Sequence, residues 1–336
     1  MSKKISIGII GTGNMGNIHA KILDKIHGVK LKGFCNRTIN KAEDAKKLFG
    51  GEYATSEPDK IFSDPDINTV YICTRHDSHV DLCTKAAKAG KNIFVEKPLA
   101  LTVKECKQIV DVVEKSGVQV MIGFCLRFYP VVQQAHKFLP KPQLIFSQMI
   151  DNKWQDDLWV QDPIEGGGNV LSQGCHTIDL LCYLACAHPI RIFAEGGNYT
   201  HPNHPYPDHM IATIYFENGA KASWIQGDIG VPPYTDKFFL EMFEKNHKSV
   251  QLFDRFKQGI FRVGDRIEQV KRSGEEGLEI ENLEFIHHLR ENRPMPCNVW
   301  DGLLATFLLH KCFKAIETHQ PQEIRWEGKI PVLDLE

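Results

Sequence analysis

The chain has 336 residues, with 40 Lys and Arg against 42 Asp and Glu, a formal charge of −2 at pH 7 and 42% hydrophobic residues. That length exceeds one ordinary core of ~100 to 200 residues, so two domains are expected, and a near-zero charge with no long block of either sign excludes nucleic acid or an anionic membrane as the main partner. No stretch reaches the ~18 apolar residues of a membrane span and no signal-peptide core follows the amino-terminal lysines, so a small-molecule ligand and a cytoplasmic location are expected.

Ile5, Ile7, Ile9 and Ile10 predict a first strand, Gly11, Gly13 and Gly16 follow it, and Met15, Ile18 and Ile22 recur at helical spacing. Strand, glycine turn and helix in this order suit dinucleotide binding. Gly11 permits the sharp turn, Gly13 lets the backbone approach a diphosphate and Gly16 allows close helix packing. The stretch Gly11, Thr12, Gly13, Asn14, Met15 and Gly16 then sets phosphates at the amino end of the helix.

A second strand is expected at 30–35, ending in Asn36 and Arg37 where a ribose-binding acid usually stands. No carboxylate is there to repel a 2′-phosphate, and Arg37 can pair with that phosphate or stack on adenine. Asn36 can equally hydrogen-bond the ribose of NAD. NAD and NADP both stay open, with NADP mildly favoured.

Further strands are expected at 69–73, 92–95 and 118–122, with helices near 79–89 and 102–116, an alternation that predicts a parallel, doubly wound sheet. The run at 92–95 leads into Glu96, Lys97 and Pro98. A lysine directly after a buried strand at the carboxyl edge of such a sheet sits where a nicotinamide ring would lie. Pro98 is expected to fix that turn, a cis bond being one way to do so.

Past residue 124 the pattern changes. A helix at 130–138 precedes strand-like runs at 143–150, 190–198, 209–217, 220–227, 237–243 and 249–253, and helices are expected near 175–186, 278–291 and 299–318. Asn218 and Gly219 mark a tight hairpin. The ten cysteines form no CxxC pair and mostly sit in apolar runs, as reduced thiols do. His201, His204, Asp208 and His209 have metal-ligating chemistry, but their prolines and irregular spacing read as an exposed loop, and no metal is expected.

Five motifs stand in order: GTGNMG at 11–16, TRHDSH at 74–79, AGKNIFVEKPLAL at 89–101, GFCLRFYP at 123–130 and GGGNVLSQGCHTIDLL at 166–181. With them the chain resembles the glucose-fructose oxidoreductase, inositol dehydrogenase and MocA family over essentially its whole length. The resemblance implies an α/β protein: an N-terminal Rossmann domain with a doubly wound parallel sheet over 1–123, then an α+β domain over 124–336 with a large, mostly antiparallel open sheet. It further implies substrate in the cleft between the two, and oligomer contacts through the open sheet in a homodimer or homotetramer.

Hydride transfer from a secondary alcohol of a sugar or cyclic polyol needs the hydroxyl proton removed while the carbon-bound hydrogen faces the nicotinamide. A lysine can accept that proton or, as ammonium, stabilise the alkoxide. Lys97 matches the lysine of the family's EKP motif and His176 the histidine that acts with it, which implies catalysis by both, while Glu96 and Lys97 also border the cofactor. His176 is expected to open its helix, and Asp179, three residues on and on the same face, matches an aspartate that binds a substrate hydroxyl. Arg127, Trp154 and Tyr234 offer further groups suited to a polyol, as do Asp151, Asp157, Trp159 and Asp236. Thr74 and His79 match positions lining the nicotinamide side, although the usual proline after the threonine is Arg75 here.

One departure concerns Ser172, which stands where many dehydrogenases of the family carry an aspartate. Lys97 and His176 are expected to move the proton without that carboxylate, with Ser172 making only a hydrogen bond. Two alternatives stay open: a glycoside hydrolase working by transient oxidation and elimination, and a non-catalytic dinucleotide-binding sensor.

Overall fold

The computed structural model describes residues 4–232, 234–272, 276–328 and 330–333. Its first half alternates strands and helices: β1 (Ile5–Ile10), α1 (Asn14–Leu23), β2 (Val29–Cys35), α2 (Ile39–Phe49), β3 (Tyr53–Thr55), α3 (Pro58–Ser63), β4 (Thr69–Ile72), α4 (His79–Lys88), β5 (Asn92–Val95), α5 (Val103–Ser116) and β6 (Val120–Ile122). The six strands form one parallel sheet in the order β3-β2-β1-β4-β5-β6. Strand order reverses between β1 and β4, so the loops after their carboxyl ends flank the crevice where such sheets bind ligands. β1, β4 and β6 are buried along their whole length, as apolar strands covered on both faces must be. α5 starts on a capping box, Thr102 Oγ1 accepting the Glu105 N–H at 3.2 Å and the Glu105 carboxylate accepting the Thr102 N–H at 2.9 Å.

The face of α1 differs from the expected one. Met15, Ile18 and Ile22 are only half-buried, and the buried stripe is Gly16, His19, Ala20 and Leu23. Gly16 has to face inward because a Cβ there would lie 2.0 Å from the Gly11 carbonyl oxygen. That contact sets the helix rotation and carries His19 into the interior.

The second half contains α6 (Pro130–Phe138), β7 (Leu144–Asn152), α7 (Gly168–Ala185), β8 (Pro189–Gly197), β9 (His209–Phe216), β10 (Lys221–Gly230), β11 (Phe238–Glu244), β12 (Lys248–Phe253), β13 (Gln258–Val263), β14 (Arg266–Lys271), α8 (Glu276–Glu291), α9 (Val299–Thr318) and β15 (Gln322–Glu323). Among the described residues they give a nine-stranded sheet, β14-β13-β12-β11-β7-β10-β9-β8-β15, in which only β7 and β10 pair in parallel. Strands alternate cleanly: Met210, Ala212, Ile214 and Phe216 of β9 are buried while Ile211, Thr213 and Tyr215 face outward. The β9–β10 hairpin turns at Asn218 and Gly219, the glycine at φ +86°. β13 and β14 are additions to the expected set. β14 shows no apolar alternation because five of its six residues are exposed, and its charged side chains shield a sheet edge.

The chain divides into two compact units: residues up to Phe124 with Leu278–Leu303, and Cys125–Gly277 with the residues from Leu304 onward. The segment Leu278–Leu303, expected in the second domain, belongs to the first unit. Phe285 of α8 lies edge-on to Tyr71 and Phe94, with ring centres 5.6 and 5.5 Å away, and the Ile122 N–H donates to the Cys297 carbonyl at 3.1 Å.

Candidate active site

In the first unit the glycine turn fits a dinucleotide on three separate observations. Gly11 has φ +95°, and a Cβ there would stand 2.4 Å from the Cys73 carbonyl oxygen. A Cβ on Gly13, by contrast, would meet no protein atom within 4 Å, so the backbone there is open to approach. Gly13 also caps α1 without any side-chain bond to the first turn, and the buried Thr12 Oγ1 has no partner among the described residues. Free N–H groups at a helix amino end beside an open glycine suit a diphosphate.

At the end of β2 the Asn36 Oδ1 accepts the Thr38 N–H at 3.0 Å, a bond that does not use the amide nitrogen as donor. Arg37 beside it is exposed. After β4 the Ser78 hydroxyl lies 2.7 Å from both Thr74 Oγ1 and the Arg75 carbonyl, tying the half-buried Thr74 and Arg75 into one short turn.

The turn after β5 is held at two points. Glu96 is buried, and its Oε2 accepts the Lys97 N–H at 3.3 Å. Burial pushes the Glu96 carboxyl up, but His19 and Lys97 together outweigh burial and hold it below the usual carboxylate range. The Lys97–Pro98 peptide is cis, and the Pro98 carbonyl accepts from His79 Nδ1 at 2.9 Å. His79 is fully buried, and burial drives its imidazole pKa down, so the ring stays neutral with its proton on Nδ1. His79 therefore supports the turn that carries Lys97, a contact the motif did not disclose.

In the second unit α7 begins at Gly168, so His176 lies mid-helix rather than at its start. The glycine run before it is consumed by packing: a Cβ on Gly166 would lie 2.2 Å from Val160 Cα, and one on Gly168 would lie 2.7 Å from His204 Cε1. α7 is buried nearly all round, with His176, Ser172 and Asp179 all in its interior set. Asp179 accepts Arg127 Nε at 2.7 Å and a second bond from Arg127 Nη2, forming a two-pronged ion pair. The Arg127 guanidinium also lies 5.3 Å from the centre of the Tyr183 ring.

Other expected substrate groups have different surroundings. Asp151 is paired with Lys237 Nζ at 2.6 Å and takes the Trp154 indole N–H at 3.2 Å. Tyr234 is 90% exposed, and Asp236 accepts backbone N–H groups of Asp254 and Arg255. The segment expected as an exposed loop is buried at His201 and Asp208. Asp208 accepts the N–H groups of Tyr199, Thr200 and His201 at 3.0, 2.9 and 2.7 Å, and the buried Asp228 takes Thr200 Oγ1 at 2.6 Å and His201 Nε2 at 2.8 Å. Among the described residues no group of three or more His, Cys, Asp and Glu is arranged to hold a metal ion. No helix among them is long and apolar enough to cross a membrane.

Known proteins match both halves. The model of an oxidoreductase family with an NAD-binding Rossmann fold, GFO_IDH_MocA, matches residues 5–124, and that of the GFO/IDH/MocA C-terminal domain matches residues 141–238. The chain is 26% identical to the uncharacterized oxidoreductase YrbE of Bacillus subtilis over 98% of its own length and 99% of that protein. It is 24% identical to an inositol 2-dehydrogenase/D-chiro-inositol 3-dehydrogenase of Lactiplantibacillus plantarum, covering 92% of this chain and 90% of the relative. A levoglucosan dehydrogenase solved in complex with NADH and levoglucosan shares the fold at a TM-score of 0.87 and 21% identity, over 96% of this chain and 99% of that one. With the strand order of a dinucleotide-binding sheet, the glycine turn and EKP turn in place on it, and family models matching in both halves, the chain belongs to the Gfo/Idh/MocA family of oxidoreductases.

Proposed function

We propose that the protein is an NAD(P)-dependent dehydrogenase or reductase acting on a secondary alcohol of a sugar, cyclic polyol or sugar derivative. The observation that carries this is the first unit's combination of an open Gly13 backbone at the amino end of α1 and a lysine turn at the end of β5, held by Glu96 and His79. The relatives named inositol dehydrogenase and levoglucosan dehydrogenase support the substrate class. The nicotinamide, when bound, supplies the hydride acceptor or donor.

Lys97 accepts the hydroxyl proton or stabilises the alkoxide as ammonium, and His176 acts with it in proton transfer. Ser172 brings no carboxylate to that transfer. Asp179 spends two oxygens on Arg127, so we assign it to fixing the guanidinium rather than to binding a substrate hydroxyl. Asn36, whose bond to Thr38 does not use its amide nitrogen, and the exposed Arg37 offer donors and a positive charge without an acid, which favours NADP. The outer face of the large sheet places Leu144 beside Phe243 and Ile211 beside Ile225, with Leu144, Ile211 and Phe243 exposed, which supports a homo-oligomer.

The test is dinucleotide reduction with a panel of inositols and anhydrosugars, using wild type, Lys97→Met and His176→Asn. Wild type is expected to reduce NADP faster than NAD, and each variant to lose about 10²- to 10⁴-fold in kcat. Unchanged turnover in Lys97→Met would overturn the proposal. Release of aglycone from aryl glycosides without net reduction would favour the elimination route instead.

A further inference from the structure

His19 is fully buried on α1 beneath the Lys97 turn, with the rings of Phe94 and Tyr71 at 4.9 and 5.5 Å between centres. Nothing in the redox assignment above uses this side chain. Its Nε2 lies 2.9 Å from Glu96 Oε1, and its Nδ1 lies 2.9 Å from Asn282 Nδ2 on α8, with the amide oxygen farther off at 3.1 Å. The Asn282 amide is oriented independently of the histidine, because the same Nδ2 donates to the Leu278 carbonyl at 2.8 Å. With the amide nitrogen the nearer atom and its orientation held by Leu278, we take Nδ1 as the acceptor. The single ring proton then sits on Nε2 and is donated to Glu96.

Other titratable groups face the same cluster. Burial, with Glu96 and Glu281 adding to it, pushes the Cys73 thiol up, and burial pushes the Tyr71 phenol up, so both stay neutral. Glu281 is fully buried on α8, next to Asn282 in the chain. Burial pushes the Glu96 carboxyl up, and the hydrogen bond from His19 is foremost among the contacts that hold it below the usual carboxylate range. Its second oxygen holds the Lys97 N–H.

We propose that His19, clamped by Asn282, is a positioning residue for proton transfer: its Nε2–H orients the Glu96 carboxylate, which in turn aims the turn carrying Lys97. The assignment rests on Lys97 acting in proton transfer. A buried imidazole in an aromatic box would also serve as packing alone, and two substitutions separate the roles. His19→Phe keeps a ring of similar size between Phe94 and Tyr71 but removes the donor, leaving Glu96 Oε1 buried and unpaired. His19→Gln removes the ring but places an amide N–H within reach of Glu96.

Positioning predicts that His19→Phe loses about 100-fold in kcat. KM for the alcohol and the fluorescence-measured affinity for NADPH should stay near wild type. The acid limb of kcat should move to higher pH as Glu96 loses its donor, and His19→Gln should recover most of the rate. If His19→Phe keeps wild-type kcat while His19→Gln is the impaired variant, the histidine is packing and the proposal falls. NMR of the imidazole nitrogens in the wild-type protein without cofactor gives a readout independent of turnover and of how the variants fold. A neutral His19 protonated on Nε2 is expected, and any other protonation pattern overturns the relay. Because that measurement needs no turnover, its failure is distinguishable from a failure of Lys97 as the proton-transfer group.

Discussion

Around Lys97 the buried carboxylate of Glu96 accepts from an imidazole and a backbone N–H, whereas below His176 the buried carboxylate of Asp179 is met by a full guanidinium. The first arrangement fixes geometry with short-range bonds inside one turn and its supporting helix. The second neutralises charge across a helix and a separate turn. They should fail differently: loss of a donor misdirects the lysine turn while the fold survives, but loss of the cation strands an acid in the interior.

The largest effect expected from that contrast is on stability in the second unit. Arg127→Leu should cost about 3–5 kcal/mol in denaturant unfolding, and the double variant Arg127→Leu/Asp179→Leu should recover most of it. Equal losses in the single and double variants would mean that the pair is not formed in solution. The glycine turn offers a middle-sized effect. Gly13 has φ −82° and free space where a Cβ would sit, so Gly13→Ala should leave thermal stability unchanged while dinucleotide affinity falls roughly tenfold, about 1.4 kcal/mol. An unfolded Gly13→Ala protein, or one that binds as wild type, would contradict an open phosphate cradle. Smaller still, Arg37→Asp should weaken NADP by up to about 1 kcal/mol, the scale of one exposed ion pair, and spare NAD. Equal effects on both dinucleotides would remove the argument for NADP.

Acid should act on the first unit by degrees. His79 is depressed by burial, so the stability tied to its neutral form is complete above the ordinary histidine pKa of 6.5 and drains as pH falls through the lowered folded value. Glu96 is depressed as well, and its share is complete above the ordinary value of 4.5 and lost at still lower pH. Melting temperatures recorded against pH should therefore fall in two stages, the upper one smaller in His79→Asn and the remainder owed to the half-buried His136, which burial also depresses. An unaltered upper stage in that variant would assign it to another histidine.

Much of the fold was legible because its elements have one period each. β1, β5, α6 and α9 carry uniform apolar or helical spacing, and the order of glycine turn, strand and EKP turn survives without any tertiary information. The inward face of α1 lies one position away from its apolar spacing because it carries His19, a polar residue in the place of an apolar one. That break in the stripe was itself the available signal. β14 was invisible since an edge strand exposed on both faces has no alternation to show. The start of α7 is hidden in the sequence because three consecutive glycines look like a loop, although the last of them already belongs to the helix.

The candidate site is legible as a set of residues and not as a set of pairs. Lys97 and His176 stand out through their motifs, but the bond between His19 and Asn282 joins positions 263 apart, and the pair Arg127 and Asp179 joins positions 52 apart. Such partners are chosen by packing, which spacing along the chain does not encode. Asp179 reads as a free hydroxyl-binding acid until its guanidinium partner is seen.

The most direct check of the central claim is isotopic. A substrate polyol deuterated at its carbinol carbon is incubated with the enzyme and oxidised NAD or NADP, and the reduced dinucleotide is analysed by mass spectrometry and proton NMR. Hydride transfer predicts deuterium on the C4 carbon of the nicotinamide, with the label reaching it directly and none exchanged into water. Label appearing in solvent instead, or a dinucleotide that remains unlabelled while the polyol is consumed, would contradict the account.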